Sequence, residues 1–174
     1  MKNVIKKIID ILKNNLKKTI IISMIIVLLI AIVLLIVNKD VIHTKGIKIY
    51  FRTYSEKNGW TIWSRNGQIN GNKKEPITAI QIKIKSKSNG KVFYNTKQND
   101  KWQLNDTTSG KTSGNEKDNI SSIRMMLSDT LFNKYTISYR SNKKGEWSEW
   151  GKDNFELSTR EYINQIQIKV EERK

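Results

Sequence analysis

Apolar residues follow two different patterns along this chain, one continuous and one alternating. The nineteen residues from Thr19 to Val37 carry no charge. A helix of that length rises about 1.5 Å per residue and covers roughly 28 Å, close to the hydrocarbon thickness of a bilayer. From Ile47 onwards, short runs of alternating apolar and polar residues are typical of strands with one buried face. The pattern therefore predicts one transmembrane α-helix, residues 19–37, followed by an all-β domain.

The apolar run has two interpretations, an uncleaved anchor and a cleaved signal peptide. The apolar core of a signal peptide is usually about 7–15 residues long and precedes a small-x-small cleavage site. The residues from Ile36 to Asp40 contain no such site. We therefore expect an anchor in the cell membrane that crosses it once.

Charged residues beside the run indicate its orientation. Residues 1–18 contain six lysines, whereas four cationic residues lie between Lys39 and Arg52. Because the more positive flank stays inside the cell, the N-terminus is predicted to be cytoplasmic and the C-terminal domain extracellular. Residues 1–18 also place apolar side chains at helical spacing, which indicates a basic amphipathic tail on the inner leaflet. The alternative is that this tail simply extends the anchor helix.

A repeated sequence pattern organises the alternating region, residues 47–174. The aliphatic spacing that begins at Ile77 recurs from Ile120 and again from Ile163, 43 residues further on each time. This predicts three repeats, at about 47–88, 89–130 and 131–174. Residues 38–46 are then a linker, which spans at most about 30 Å and would keep the domain near the membrane.

Each repeat is expected to contain a strand, a short strand with tryptophan and a closing strand, joined by turns. A unit that small cannot bury its own apolar face. Three units around a common axis can, and closure also hides the strand edges. We predict a pseudo-threefold closed domain of the β-prism or β-trefoil type, with a straight solenoid as the alternative.

The first repeat also carries a recognisable order of short motifs: Arg-Thr, Gly-Trp, Asn-Gly and a closing Ala-Ile-x-Ile-x-Ile. The residues concerned are Arg52, Thr53, Gly59, Trp60, Asn66, Gly67, Gly71, Ala79, Ile80, Ile82 and Ile84. These motifs resemble the clostridial hydrophobic repeat with a central tryptophan, the ChW repeat. The family's His is Tyr54 here and its Glu is missing from all three repeats, so no role of that glutamate transfers. The resemblance implies a Gram-positive, clostridia-like source and a binding role at the cell surface.

Five tryptophans are the candidate ligand-binding residues. Trp60, Trp102 and Trp147 recur with the repeat, as core positions do, and we expect them to pack inside. Trp63 and Trp150 follow three residues after their partners, where the second repeat has Asn105. Residues three apart on a strand point to opposite faces, so these two are predicted to face outward, where an indole ring can stack on a sugar.

Composition argues against several kinds of chemistry. The chain has no Cys and one His, so thiolate and His-cluster metal sites are not expected, and no cofactor is predicted. Glu146 and Glu149 flank Trp147 and could in principle cleave a glycosidic bond. The second repeat has Lys101 at the matching place, so ion pairing is the preferred interpretation and no catalytic residue is assigned.

Charge indicates the kind of partner. Residues 46–174 carry 24 Lys and Arg against 14 Asp and Glu, and such a field attracts polyanions; a merely solubilising surface is the alternative. We expect a non-catalytic, membrane-anchored binding module of the cell envelope. Its predicted partner is a membrane-proximal teichoic acid, wall glycan or envelope protein, and nucleic acid is not expected. The alternatives are a structural partner in a membrane complex, an envelope hydrolase and an extracellular DNA-binding protein.

Overall fold

The computed structural model describes residues 18–35 and 41–173. The apolar run forms helix α1 (Lys18–Leu35), which is long and apolar enough to cross a membrane. Every residue of α1 is exposed. The predicted apolar N-terminal helix is thus confirmed. The end of the predicted span at 36–37 and the predicted tail, apart from Lys18, lie outside the described residues.

All three repeats contain the same five strands, two long and three short, instead of the three strands predicted. The first repeat contains β1 (Ile47–Ser55), β2 (Gly59–Trp60), β3 (Ser64–Arg65), β4 (Ile69–Gly71) and β5 (Ala79–Ser86). The second contains β6 (Val92–Gln98), β7 (Lys101–Trp102), β8 (Thr107–Thr108), β9 (Thr112–Gly114) and β10 (Ile120–Leu127). The third contains β11 (Tyr135–Lys143), β12 (Glu146–Trp147), β13 (Gly151–Lys152), β14 (Leu157–Ser158) and β15 (Gln165–Glu172). A short helix, α2 (Asp129–Phe132), connects the second and third repeats.

The two long strands of each repeat form the centre of an open antiparallel sheet. In the first sheet β1 pairs with β5 from Ile47 opposite Ser86 to Tyr54 opposite Ala79. The second and third sheets are built in the same way from β6 and β10 and from β11 and β15. Alternate residues of β1 are buried, which is the period of a strand with one face on a core. The all-β prediction is confirmed.

The fourth strand of each repeat joins the sheet of another repeat. Strand β9 of the second repeat pairs with β5 of the first, β14 of the third pairs with β10 of the second, and β4 of the first pairs with β15 of the third. The exchange is therefore cyclic. It joins the first repeat to the last, whereas the repeats of a straight solenoid contact only their neighbours.

Three backbone hydrogen bonds between the repeats follow the same cyclic order. Ile77 donates its N–H to the carbonyl of Ile163 at 2.7 Å, Ile163 donates to Ile120 at 2.9 Å, and Ile120 donates to Ile77 at 2.9 Å. Eleven of the twelve predicted aliphatic positions belong to one buried cluster, and the twelfth, Ile84, is half-buried and packs against it. The eleven include Ile80, Ile123 and Ile166, each at most 2% exposed.

The second half of the predicted linker belongs to the β-domain. Ile42 donates its backbone N–H to the carbonyl of Asn66 at 2.8 Å, and the Asn66 amide returns a bond to the carbonyl of Ile42 at 2.9 Å. Thr44 donates its hydroxyl to the carbonyl of Val170 at 2.6 Å. The compact unit accordingly begins at Val41, so residues 41–46 of the predicted linker are part of it.

Candidate functional site

All five tryptophans lie outside the buried core and are half-buried. The expectation that Trp60, Trp102 and Trp147 pack in the core is therefore wrong. Each belongs to a two-residue strand that turns back onto the end of a long strand, and Trp60 lies opposite the outward-facing Tyr54. A surface feature that occurs once per repeat recurs with the same period as a core position, so the period alone does not distinguish a surface residue from a core residue.

In the first repeat, four side chains form what we call the first ladder: Trp60, Arg52, Trp63 and Lys83. The central guanidinium carbon of Arg52 lies 4.7 Å from the ring centroid of Trp60 and 4.8 Å from that of Trp63. The ammonium nitrogen of Lys83 lies 3.8 Å from the Trp63 centroid. Tyr54 packs edge-on against Trp60, with their centroids 5.4 Å apart. Cation–π contacts at exposed sites are worth about 0.5–1 kcal/mol each, so the set is held together by several small terms.

The third repeat reproduces this arrangement in the third ladder: Trp147, Arg140, Trp150 and Lys169. The guanidinium carbon of Arg140 lies 4.7 Å from the Trp147 centroid and 4.8 Å from the Trp150 centroid. Lys169 lies 4.8 Å from the Trp150 centroid. Trp63 and Trp150 thus lie on the outer surface, as predicted, but they share it with the tryptophans that precede them.

The prediction that Trp60 and Trp63 lie on opposite faces requires the residues between them to be a strand. The chain between Trp60 and Ser64 is not extended in a sheet. Thr61 turns inward instead, and its hydroxyl donates to the side-chain oxygen of Asn70 at 2.7 Å. This hydrogen bond lets both indoles reach the same guanidinium.

Each ladder arginine is oriented by an amide directly opposite on the neighbouring long strand. Arg52 donates its Nε–H to Gln81 at 2.9 Å, and Arg140 donates its Nε–H to Gln167 at 2.8 Å. Within the part of the chain that the structure describes, neither Nη1 nor Nη2 of either arginine makes a hydrogen bond. A guanidinium has five N–H donors, so four of them remain available on each.

The second repeat carries a modified version of this site. Its arginine, Arg124, lies on β10 opposite Asn95 on β6, so the arginine and the amide have exchanged strands. Arg124 lies 4.8 Å from the Trp102 centroid. Its Nη2 is 3.4 Å from Oδ1 of Asp106, and the same oxygen accepts a hydrogen bond from Asn95 at 2.9 Å.

Strand register identifies the residue that replaces the second tryptophan here. Thr107 lies opposite Tyr94 as Ser64 lies opposite Phe51. The residue before Thr107, Asp106, therefore corresponds to Trp63, and the assignment to Asn105 is wrong by a one-residue insertion. An acidic side chain thus contacts the arginine where the other repeats have an indole.

The outer faces of the sheets also differ in charge. On the first sheet Lys48 lies opposite Lys85, and Lys83 points to the same outward face. Lys83 has no acidic partner among residues 18–35 and 41–173. Lys169 of the third ladder, in contrast, forms an ion pair of 2.7 Å with Glu171. The first ladder is therefore the more cationic of the two.

The sequence pattern indicates the tryptophans of this site but not its arginines. The available signal was the 43-residue offset, which aligns Gln81, Arg124 and Gln167 and would have shown one exchanged position. Glu146 and Glu149 are both exposed. Among the residues described, no group of three or more His, Asp or Glu side chains could hold a metal ion.

Comparison with known protein families, curated proteins and solved structures finds no match to this chain. The resemblance to the ChW repeat therefore stays a prediction, and function is argued from the geometry of the ladders.

Proposed function

We propose that this chain is a non-catalytic, membrane-anchored binding module of the cell envelope, and that its β-domain binds a membrane-proximal anionic polymer of the teichoic-acid kind. One observation carries the proposal. Two arginines, Arg52 and Arg140, are fixed over indole rings, and their Nη groups have no hydrogen-bond partner among the described residues. Fixed guanidinium groups recognise phosphate and carboxylate oxygens.

Several features support an extracellular location for the β-domain. Helix α1 is long and apolar enough to span a bilayer, and the lysine-rich flank before it favours a cytoplasmic N-terminus. Because Ile42 and Thr44 are hydrogen-bonded into the β-domain, few residues of the sequence separate this domain from the last residue of α1, Leu35. A ligand close to the membrane surface suits so short a connection.

We also infer that the three sheets close around a pseudo-threefold axis as a β-prism. The cyclic strand exchange, the ring of hydrogen bonds at Ile77, Ile120 and Ile163, and the single buried cluster support this. In a prism each sheet presents its own outer face. The two complete ladders then lie on different faces, and a long polymer can engage both, which raises its overall affinity.

The ladders favour a charged polymer over a neutral glycan. An indole that stacks on a sugar needs a free ring face, whereas Trp63 already has Arg52 and Lys83 over its ring. The excess of positive charge in residues 46–174 acts in the same direction. Among the predicted partners, teichoic acid therefore fits better than an uncharged wall glycan.

The test measures binding by the full-length protein in a non-ionic detergent. Soluble poly(glycerol phosphate) and an uncharged wall glycan are titrated, with tryptophan fluorescence as the signal. We expect the wild type to bind the phosphate polymer and the double variant Trp63→Ala, Trp150→Ala to bind it about tenfold less, since a loosened guanidinium loses its orientation.

Trp102→Ala is the matched control, because the arginine that Trp102 contacts already has Asp106 as a partner. We expect this variant to bind nearly as well as the wild type. Equal loss in all tryptophan variants would count against the ladders as the site. A wild type that binds neither polymer would overturn the proposed function.

A further inference from the structure

The second repeat differs from the other two in one respect that concerns ligand chemistry: its arginine already contacts a carboxylate. We propose that Arg52 and Arg140 are two phosphate-binding sites, each taking one phosphodiester group through Nη1 and Nη2, and that Asp106 silences the equivalent site in the second repeat. This inference rests on the proposed function and specifies its contacts.

The hydrogen bonds of Arg52 show which edge of the guanidinium is open. Its Nε–H is used by Gln81 at 2.9 Å, and indole rings lie 4.7 and 4.8 Å from its central carbon. The remaining edge presents Nη1 and Nη2, whose N–H groups match two oxygens of one phosphate. Because the rings and the amide already fix the plane of the group, binding orders little that was free.

Asp106 shows that this type of site accepts an anionic oxygen. Its Oδ1 lies 3.4 Å from Nη2 of Arg124 and is held in place by Asn95 at 2.9 Å. The contact neutralises the arginine and occupies one Nη group. The corresponding positions in the other repeats are Trp63 and Trp150, uncharged side chains that do not compensate the charge of the arginine.

The two open sites differ in their surroundings. Lys83 in the first ladder has no acidic partner among the described residues, and Lys85 extends the positive face. Lys169 in the third ladder is paired with Glu171 at 2.7 Å. The first site therefore has the stronger positive field and is expected to contribute more to binding.

The phosphodiester group that these sites bind can belong to a soluble polymer or to a lipid headgroup at the cell surface. The experiment separates them by titrating the full-length protein in non-ionic detergent with poly(glycerol phosphate), and in parallel with mixed micelles that contain phosphatidylglycerol or phosphatidylcholine. We expect the polymer to bind, and the phosphatidylglycerol arm reports whether the same sites also take a headgroup.

Four variants test the sites. Arg52→Gln and Arg140→Gln each remove one proposed phosphate contact and should weaken binding about tenfold, Arg52→Gln the more strongly, as loss of a charge-assisted bidentate contact does. Arg160→Gln removes the same charge from an exposed position outside the ladders and should change affinity less than about twofold. Asp106→Asn frees Arg124 and should tighten binding about threefold.

The outcomes separate the two proposals. A wild type that does not bind the phosphate polymer overturns the proposed function itself, whether or not it binds a micelle. A wild type that binds while Arg52→Gln and Arg140→Gln match Arg160→Gln overturns the phosphate sites alone. Asp106→Asn decides the matter if an arginine variant fails to fold, because a gain in affinity cannot come from unfolding; no gain overturns the silencing by Asp106.

Discussion

In each sheet of the β-domain, an arginine faces an amide across the two long strands. The pairs are Arg52 with Gln81, Arg140 with Gln167, and Asn95 with Arg124 in exchanged order. Side chains directly opposite on antiparallel strands lie about 5 Å apart, so a long guanidinium can reach the same indole from either strand. All three repeats therefore have a guanidinium over a tryptophan ring, whether the arginine lies on the first or the second long strand.

One buried position of the exchanged strands differs between the repeats in a way that affects stability. Asn70 and Ser113 lie opposite the closing-strand residues Ile166 and Ile80, and Leu157 takes this place opposite Ile123. Asn70 accepts hydrogen bonds from the backbone N–H and hydroxyl of Thr53, the residue that corresponds to Ser141. Ser141, at 1% exposure, has no partner for its Oγ within the described part of the chain.

Removing that unpaired hydroxyl should stabilise the protein. We expect Ser141→Ala to raise the free energy of unfolding by about 1 kcal/mol, since a buried hydroxyl without a partner carries a desolvation penalty of that order. Ser113→Ala is the matched control: its Oγ lies 2.9 Å from the hydroxyl of Thr96 and donates to Gln103 at 2.6 Å. This variant should lose about 1 kcal/mol. Denaturant midpoints measure both, and equal losses would contradict the assignment.

Two buried tyrosines connect neighbouring sheets. The phenol of Tyr94 accepts the backbone N–H of Ile82 at 3.1 Å and donates to the carbonyl of Lys111. Tyr139 accepts the N–H of Met125 at 3.2 Å and donates to the carbonyl of Phe155. Burial raises the pKa of Tyr94 and of Tyr139 to about 12, because the phenolate would be desolvated.

These shifts predict a loss of stability in alkali. Below pH ~10 both phenols are protonated in the folded and in the unfolded chain, so their contribution to the free energy of unfolding is complete there. Above that value the unfolded chain releases its protons first, and the free energy of unfolding falls by about 1.4 kcal/mol per pH unit for each tyrosine until pH ~12. The double variant Tyr94→Phe, Tyr139→Phe should show a shallower fall. Phenolate absorbance of all six tyrosines rising together near the ordinary pKa would contradict this.

At the scale of elements, the exchanged strands depend on two glycines with positive φ. Strands β4 and β9 end at Gly71 (φ 105°) and Gly114 (φ 103°). A Cβ on Gly71 would lie 2.3 Å from the carbonyl oxygen of Asn164, and one on Gly114 would lie 2.4 Å from that of Thr78. These contacts involve backbone atoms of the repeat that receives the strand. The absence of a side chain is what allows the exchanged strand to approach.

Gly114→Ala should therefore cost far more than an unfavourable φ. We expect a loss of about 3 kcal/mol or more, because strain from the backbone clash adds to that from positive φ. Gly145→Ala is matched in φ, at 100°, but has nothing within 4 Å of the added Cβ. It should lose only about 1–2 kcal/mol. Similar denaturant midpoints for the two variants would show that the close approach is relieved at little cost.

At the scale of the whole molecule, the parts that sequence could predict are those with a local signal. The repeated aliphatic spacing predicts the closing strands, and Ile80 and Ile123 are buried as expected. Strands β4, β9 and β14 have two or three residues, and their partners lie in other repeats, so no local pattern marks them. The geometry of the ladders is not predictable from a local pattern either. In the first repeat it depends on the inward-turned Thr61, and in the second repeat an inserted residue precedes Asp106.

The cyclic exchange makes the three repeats depend on one another. Removing the third repeat would take away β15, the partner of β4, and β14, the partner of β10. It would also open the hydrogen-bond ring at Ile163. A linear array of repeats behaves differently, because its energy is a sum over neighbours and the remaining units stay folded.

We therefore expect a chain that ends at Ser128 to lose the tertiary structure of both remaining repeats. Near-ultraviolet circular dichroism in detergent measures this. The two tryptophans of the first ladder are held in fixed contact with Arg52 and Lys83, so they contribute to the signal only while the repeat is folded. The control keeps every residue but cleaves the chain between the first two repeats, within residues 87–91. That cleavage leaves all strand pairings intact, so the signal should persist. If the truncated chain instead keeps half or more of the native signal, the repeats fold independently and the shared core does not determine stability.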